Sequence, residues 1–339
     1  MEKKNSTEIA TLGEFGLIDR LTSKLKRRND STLLASGDDA AVIDLGDELL
    51  LLTTDMMTEG IDFDLSYFPL KHLGYKAAIV NFSDIYAMNA TPTQITVSLG
   101  ISKRFSVEDL EELYSGIRLA CERYNVDLVG GDTCASMTGL TISITCLGEA
   151  YDSDIVYRNG AKEHDLVCVT GNLGTAYMGL QLLERERIVM NANENATPAF
   201  EGREYLLERQ LKPEARRDII EKLHEAGIKP TAMMDISDGI ASDLRHILNA
   251  SNAGAQVALD KLPISSDLKS ICNTYALDKH TIATGGGEDY ELLFTAPEGI
   301  ENLLDFPVYE IGKIVPGKTL SWTMNGTLVE FNAKGYNHF

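Results

Sequence analysis

The sequence predicts an α/β protein built as two domains, and three observations carry that prediction. The chain has 339 residues, more than one hydrophobic core ordinarily serves. Short apolar runs of strand character alternate with segments of helical period along its length. Near Ala150-Tyr151-Asp152 the pattern changes, which separates a domain over 1–150 from a second over 151–339.

Composition narrows the function. A hydrophobic fraction of 44% with 24% charged residues is that of an ordinary globular chain. The formal net charge of −20 argues against a nucleic-acid partner, which needs a basic face. A phosphorylated small molecule remains compatible, provided cations stand between its phosphates and the acids. Five scattered cysteines without a C-x-x-C pair suit reduced thiols in a cytoplasmic protein. No window reads as a signal peptide or a membrane span.

In chain order, Thr11-x-x-Glu14 has the spacing of a capping box before a helix with Leu17, Leu21 and Leu25 on one face. Gly37-Asp38-Asp39 then turns into strands over Ala40–Ile43 and Glu48–Thr53, the second delivering Thr53-Thr54-Asp55 at its end. Pro69 opens a helix whose buried stripe is Leu73, Ala77 and Val80, with Asp84 one turn further on or beside that stripe. A carboxylate there needs a partner to offset its desolvation. Thr93–Leu99 alternates as a strand, and Ser106-x-x-Asp109 caps a helix carrying Val107, Leu110, Leu113, Ile117 and Cys121. A strand over Val126–Val129 leads into Gly130-Gly131-Asp132-Thr133, where glycine permits close approach of a ligand. Leu140–Cys146 is a further strand.

Beyond the boundary, Arg158 sits in a loop, within reach of a phosphate or simply solvated. Leu166–Val169 is a strand ahead of Thr170-Gly171-Asn172-Leu173-Gly174, which resembles a phosphate turn but lacks the full spacing of either common glycine-rich motif. Asn191–Thr197 reads as a loop or a helix-ending turn. An apolar strand ends at Asp235, after which Ser237 or Asp238 caps a helix with Ile240, Leu244 and Leu248. Gly285-Gly286-Gly287 feeds Glu288 and Asp289 into an apolar strand and suggests backbone packed against a ligand. Strands follow at Val308–Ile311, Thr319–Met324 and Leu328–Phe331.

Acids at junctions thus recur at Asp39, Asp55, Asp132, Asp235 and Glu288, with Asp84 on a helix. Singly, each is an ordinary solvated turn residue. Together they suggest a site for several Mg²⁺ ions around a polyphosphate, since hard cations take oxygen ligands and need no phosphate-binding lysine beside them.

The segments GDDAAV, TTDMMTEGIDFD, NFSDIYAM, GGDT, YRNGA, MDISDGIASDL and GGGEDYELLF, in this order, resemble the thiamine-monophosphate kinase family. That family belongs to the superfamily typified by aminoimidazole ribonucleotide synthetase. The resemblance implies mixed sheets flanked by helices in both domains. It implies an ATP- and Mg²⁺-binding amino-terminal domain that pairs with its copy in a homodimer through a barrel-like interface, and a carboxyl-terminal domain that completes the nucleotide and substrate site. It further implies Mg²⁺-assisted, in-line transfer of the ATP γ-phosphoryl group to thiamine monophosphate, with Asp39, Asp84, Asp132 and Asp235 as the catalytic acids. Metal ligation would fall to Asp39, Thr53 or Thr54, Asp55, Asp84, Asp132, Asp235 and Asp238. Gly131, Asp132, Arg158 and Ser237 would contact the nucleotide, and Asp62, Glu288 and Tyr336 the acceptor. Many members have histidine where this chain has Asp62. The alternatives are another ATP-using enzyme of the superfamily, such as a selenophosphate or amidine-forming synthetase, or a non-catalytic nucleotide- or cation-binding protein. A zinc hydrolase is disfavoured because H-E-x-x-H is absent.

Overall fold

The computed structural model describes residues 8–193, 196–300, 308–333 and 335–336. In the first half, helix α1 (Gly13–Thr22) precedes strands β1 (Thr32–Leu34), β2 (Ala41–Asp44) and β3 (Leu49–Thr58). Helix α2 (Leu70–Ala87), β4 (Thr91–Ile101), α3 (Val107–Tyr124), β5 (Asp127–Ala135) and β6 (Leu140–Ala150) complete it. The strands form one mixed sheet in the order β1-β2-β3-β6-β4-β5, antiparallel except for the β4–β5 pair.

One face of this sheet is covered and the other is not. Leu49, Leu51, Ile95, Val97, Ile142 and Ile144 point inward and are buried, whereas Thr54, Met56 and Ser98 alternate with them and stay exposed. Helix α2 packs on the inward face, and Ala77, Ala78, Ile79 and Phe82 are among its many buried residues. Helix α3 crosses it closely enough that a Cβ on Gly74 or Gly116 would collide with the other helix's carbonyl oxygens, Leu113 O and Lys71 O respectively. Only glycine permits that contact. The Ser106 capping box forms as expected, with Ser106 Oγ accepting from Asp109 N–H and Asp109 accepting from Ser106 N–H.

The second half holds β7 (Leu166–Thr170), α4 (Thr175–Ala192), α5 (Glu204–Leu211), α6 (Arg217–Glu225), β8 (Ala232–Asp235) and α7 (Ile240–Ser251). Then come β9 (Gly254–Ala258), α8 (Ser266–Tyr275), α9 (Lys279–Gly285), β10 (Leu292–Ala296), β11 (Val308–Val315), β12 (Leu320–Met324) and β13 (Thr327–Val329). Their sheet runs β13-β12-β9-β11-β7-β10-β8, again mixed, with only the β12–β9 pair parallel. Strands β7, β8 and β10 are buried on both sides, which explains their unbroken apolar runs. Cys168, Met233, Leu292 and Phe294 join the core that surrounds α2, while Val167, Val169, Met234 and Leu293 join a second core beneath α4, α7 and α8. The first half therefore lies directly on the sheet of the second, with α2 at the seam.

Several local expectations give way. Thr11 does not cap α1: Leu12 occupies the cap without a side-chain bond, and Leu21 and Leu25 are exposed, with no described residue covering that face. Strand β3 continues to Thr58 through pairing with β6, so Thr53-Thr54-Asp55 lies inside a strand and not at its end. The Gly130-Gly131-Asp132-Thr133 stretch is likewise inside β5, paired with β4. Gly131 meets the Val97 carbonyl of that neighbour, a close approach of protein backbone rather than of a ligand. Helix α7 starts from Gly239 in a positive-φ conformation, so Gly239 and neither Ser237 nor Asp238 occupies the cap position. Within Asn191–Thr197, α4 extends through Ala192, and Glu194 and Asn195 lie outside the described residues.

Among the described residues no helix is long and apolar enough to cross a membrane. The α2–α3 contact gives a direct prediction. Gly116→Ala must push α3 off Lys71, and the protein should lose about 1–3 kcal/mol of stability, read as a lower midpoint in urea unfolding. An unchanged midpoint would show that the two helices are free to separate there.

Candidate active site

The acids converge at the seam. Asp39 enters from the turn ahead of β2, Asp84 from the last turns of α2 and Asp235 from the end of β8. One carboxylate oxygen from each lies within 4.8 Å of the others. Asp39 and Asp235 are buried, and Asp84 is partly exposed. Such proximity reflects topology: Ser83 and Asp235, 152 positions apart in the chain, are bridged by a hydrogen bond in which Ser83 Oγ donates to Asp235 Oδ2 at 2.5 Å.

Each acid is held by a neighbour. Thr53 Oγ1 donates to Asp84 Oδ2 at 2.6 Å. Arg158 grips Asp39 with both arms of its guanidinium, Nη2 donating to Oδ1 at 2.6 Å and Nε to Oδ2 at 3.3 Å, while its backbone N–H donates to Asp38. Asp55 N–H donates to Asn81 Oδ1 at 3.2 Å, tying β3 to α2. The balance of charge is still negative. Burial, then the charge of Asp39, pushes Asp55 up to about 6 and Asp235 up to about 7 from an ordinary 3.8. Asp38 rises to about 7 for the same two reasons, and Asp84 is raised by burial and by Asp55 and Asp235. An all-oxygen set with this excess of negative charge fits hard divalent cations.

The remaining expected residues are spread around this centre. Thr53 and Asp55 point into the seam, in register with Cys146 and Ile144. Thr54 faces the other way, donating to Ile144 O and accepting from Thr145 Oγ1. Asp132 stands in register with Ser98, Ser143 and Met56, on that same outward face, and is exposed. Within one chain it does not reach the triad. Asp62 accepts from Thr58 N–H at 2.6 Å and lies near Asp55. Asp238 and Ser237 form the turn after β8, where Asp238 O accepts from Tyr336 N–H and Ser237 O from Glu288 N–H. Tyr336 is half exposed, and its hydroxyl feels the charges of Asp62, Glu288 and Asp238. Asn337, His338 and Phe339 lie outside the described residues.

The glycine-rich stretch serves the protein's own packing. Gly287 presses on Ser237 O and Gly286 on Tyr177, so no Cβ fits at either position. Asp289 is buried and accepts from Gly174 N–H at 2.5 Å and Ala176 N–H at 3.2 Å. The turn before α4, whose pattern suggested a phosphate, therefore holds an internal carboxylate at the helix amino terminus. Glu291 is buried against Arg209, Arg216 and Thr170. Of the three acids in this stretch, only Glu288 keeps an exposed edge, and it is paired with Lys76 at 2.8 Å. Lys76, Asn81, Ser83 and Asp38 were not singled out as site residues from the sequence. A lone lysine within the apolar run Tyr75–Phe82 was the available signal for the first, and adjacency to Asp84 and Asp39 for the last two.

Comparison with known proteins bears on what this geometry does. The family profile for the AIR synthase related protein N-terminal domain matches residues 37–150, and that for its C-terminal domain matches residues 162–324. A thiamine-monophosphate kinase of Aquifex aeolicus is 36% identical over 329 residues, covering 97% of this chain and 98% of that protein. The Bacillus subtilis protein of the same name is 32% identical over 339 residues, covering 97% and 100%. A solved structure described as AaThiL complexed with AMPPCP and TMP is similar with a TM-score of 0.85 at 34% identity, covering 99% of this chain and 100% of that one. The hydrogenase maturation protein HypE in complex with ATP, at 18% identity, covering 94% of this chain and 95% of that one, and TM-score 0.63, shares the fold.

The crowded acids set the sign of a pH effect. A carboxyl whose folded pKa lies above its unfolded 3.8 keeps its proton longer in the folded state, so the folded protein binds more protons between the two values. The stability associated with Asp55 and Asp235 is present at low pH and is lost as pH rises through about 6 and 7. Metal-free protein should therefore melt at a lower temperature at about pH 8 than at about pH 5, with Mg²⁺ raising the melting temperature more at the higher pH. A Mg²⁺ effect independent of pH would contradict this.

Proposed function

The chain belongs to the thiamine-monophosphate kinase family of AIR synthase related proteins, and on that premise we propose that it transfers the γ-phosphoryl group of ATP to thiamine monophosphate, giving thiamine diphosphate and ADP. The observation that carries this reading is the meeting of Asp39, Asp84 and Asp235 where the two halves touch. A site that must bring two phosphorylated, anionic reactants together needs concentrated ligands for cations, and these are they.

The residues divide the work by position. Asp39, Asp84 and Asp235, with Thr53 and Asp55 beside them, would hold Mg²⁺ ions, and Asp238 borders the same turn. Mg²⁺, when bound, offsets the charge of the phosphates and of the acids. Arg158 orients Asp39 and removes part of the triad's charge; its guanidinium keeps an exposed edge for a phosphate oxygen. Ser83 fixes the rotamer of Asp235. No general base is required, because the acceptor phosphate, with a second pKa of about 6, is already mostly dianionic at neutral pH. Its oxygen bonds to the γ-phosphorus in line as the bond to the β-phosphate oxygen breaks, and ADP departs with the electron pair. Asp62 and Tyr336 lie on the side toward Glu288, which supports the acceptor's rings binding there.

We assign the active form as a homodimer. Among the described residues no helix covers the outward face of the first sheet, β5 is an edge strand exposed over its whole length, and Met56 is exposed on that face. A second copy laid on this face would form a barrel-like interface and bring Gly131 and Asp132 of one chain toward the nucleotide of the other. With ATP as donor the setting is the cytoplasm, and the net charge of −20 supports neither a nucleic-acid nor an anionic-membrane partner.

Two experiments follow. Asp235→Asn should abolish thiamine diphosphate formation from ATP, Mg²⁺ and thiamine monophosphate while leaving the circular dichroism spectrum unchanged; unaltered Mg²⁺-dependent kinetics would remove Asp235 from the site. Mixed dimers of Asp132→Ala and Asp235→Asn chains should regain about half the wild-type activity, since one of the two sites then has every acid. Mixed dimers as inactive as their parents would place Asp132 in its own chain's site, and a fully active Asp132→Ala homodimer would place it outside any site.

A further inference from the structure

Lys76 is fully buried in the middle of α2, and among the described residues its ammonium has one anionic partner, Glu288, at 2.8 Å. It also donates to Gln210 O at 3.0 Å and lies 5.6 Å from the centre of the Phe68 ring. The second oxygen of Glu288 accepts from Gln210 Nε2 at 2.7 Å. Glu288 itself sits at φ 64°, a left-handed conformation that costs a non-glycine residue energy, and its side chain remains 28% exposed. Cohesion does not explain the pair. A buried ion pair contributes little to stability compared with apolar residues of the same volume, and α2 already has extensive apolar burial.

We propose that Lys76 is a positioning residue for the acceptor: with Gln210 it fixes the Glu288 carboxylate and cancels its charge, so that Glu288 recognises an N–H donor on the acceptor rather than a positive charge. The inference rests on the reading of Glu288 as a contact of thiamine monophosphate. A carboxylate offers about four lone-pair directions, and Lys76 and Gln210 occupy one on each oxygen, leaving the exposed edge as an acceptor. Gln210 Oε1 is buried without a hydrogen-bond partner, so the amide adds no donor to the open edge of Glu288. Thiamine monophosphate has two features that Glu288 can meet, the cationic thiazolium and the exocyclic amine of the aminopyrimidine. A neutralised acid with an acceptor edge left open matches the amine.

The test compares thiamine monophosphate with oxythiamine monophosphate, in which a carbonyl oxygen replaces that amine, and follows the KM for ATP alongside. Wild-type protein should prefer the amine by at least about tenfold in kcat/KM, because a site built for a donor rejects an acceptor in its place. Lys76→Met should reduce that preference to within about threefold and raise the KM for thiamine monophosphate, with the KM for ATP changed by less than about twofold. The double variant Lys76→Met/Glu288→Gln, which leaves no unpaired buried charge, should behave as Glu288→Gln does. If Lys76→Met does not fold, Lys76→Gln, which keeps a donor toward Glu288, should retain the amine preference. Lys76→Met protein with a lower melting temperature but intact amine preference would overturn the role of Lys76 alone. A Glu288→Gln protein with wild-type kinetics toward both acceptors would overturn the underlying placement of Glu288 as well, and a wild-type protein without amine preference would overturn the donor assignment.

Discussion

Three carboxylates gathered within 4.8 Å of one another in a largely desolvated seam are the constraint on which this structure turns. Two unit charges about 4 Å apart repel by about 4 kcal/mol at an effective dielectric of 20, so a folded chain tolerates the arrangement only with compensation. Some of it is internal. Arg158 supplies one full charge to Asp39, and the hydroxyls of Thr53 and Ser83 donate to Asp84 and Asp235. The upward shifts of Asp55, Asp84 and Asp235 come first from burial and then from neighbouring carboxylates, a combination that suits divalent cations.

The seam is possible because α2 belongs to both halves. It packs against β3, β6 and α3 on its own side and against the face of β8 on the other. Along its length it delivers Lys76 to Glu288, Asn81 to Asp55, Ser83 to Asp235 and Asp84 to the triad. A helix placed this way fixes the Glu288 corner and the acid triad relative to one another. Fixed placement matters for phosphoryl transfer, in which orientation and electrostatics supply most of the catalysis. The strained backbone at Glu288 and Tyr290 lies at the same seam, held between Ser237 O and Ile236 O.

Much of this could be read from residue types alone. Asp39 and Asp235 stood out as acids at a turn and a strand end, and Asp84 as a carboxylate on or beside a buried helix stripe, and all three are in the triad. The capping box at Ser106 is a local pattern and formed as written. What the sequence hid was set by contacts from far along the chain. Whether Thr53 or Thr54 faces the acids depends on the register of β3 against β6, and the strand runs past the point where its apolar pattern fades. Asp132 has the chemistry of a ligand, but β4 pairing keeps it on the outward face. The glycines before Glu288 mark a close approach, yet the approaching group is the Ser237 turn. Asp289 and Glu291 carry the same charge as Glu288, and only the fold reveals that a helix amino terminus and two arginines already hold them.

The central claim concerns where cations bind, so the most direct measurement is anomalous scattering from crystals grown with Mn²⁺ and a nonhydrolysable ATP analogue. Peaks between the carboxylates of Asp39, Asp84 and Asp235, bridged to the analogue's phosphates, are the result predicted. Mn²⁺ and phosphates bound together elsewhere, with the three acids still turned only to Arg158, Thr53 and Ser83, would contradict it.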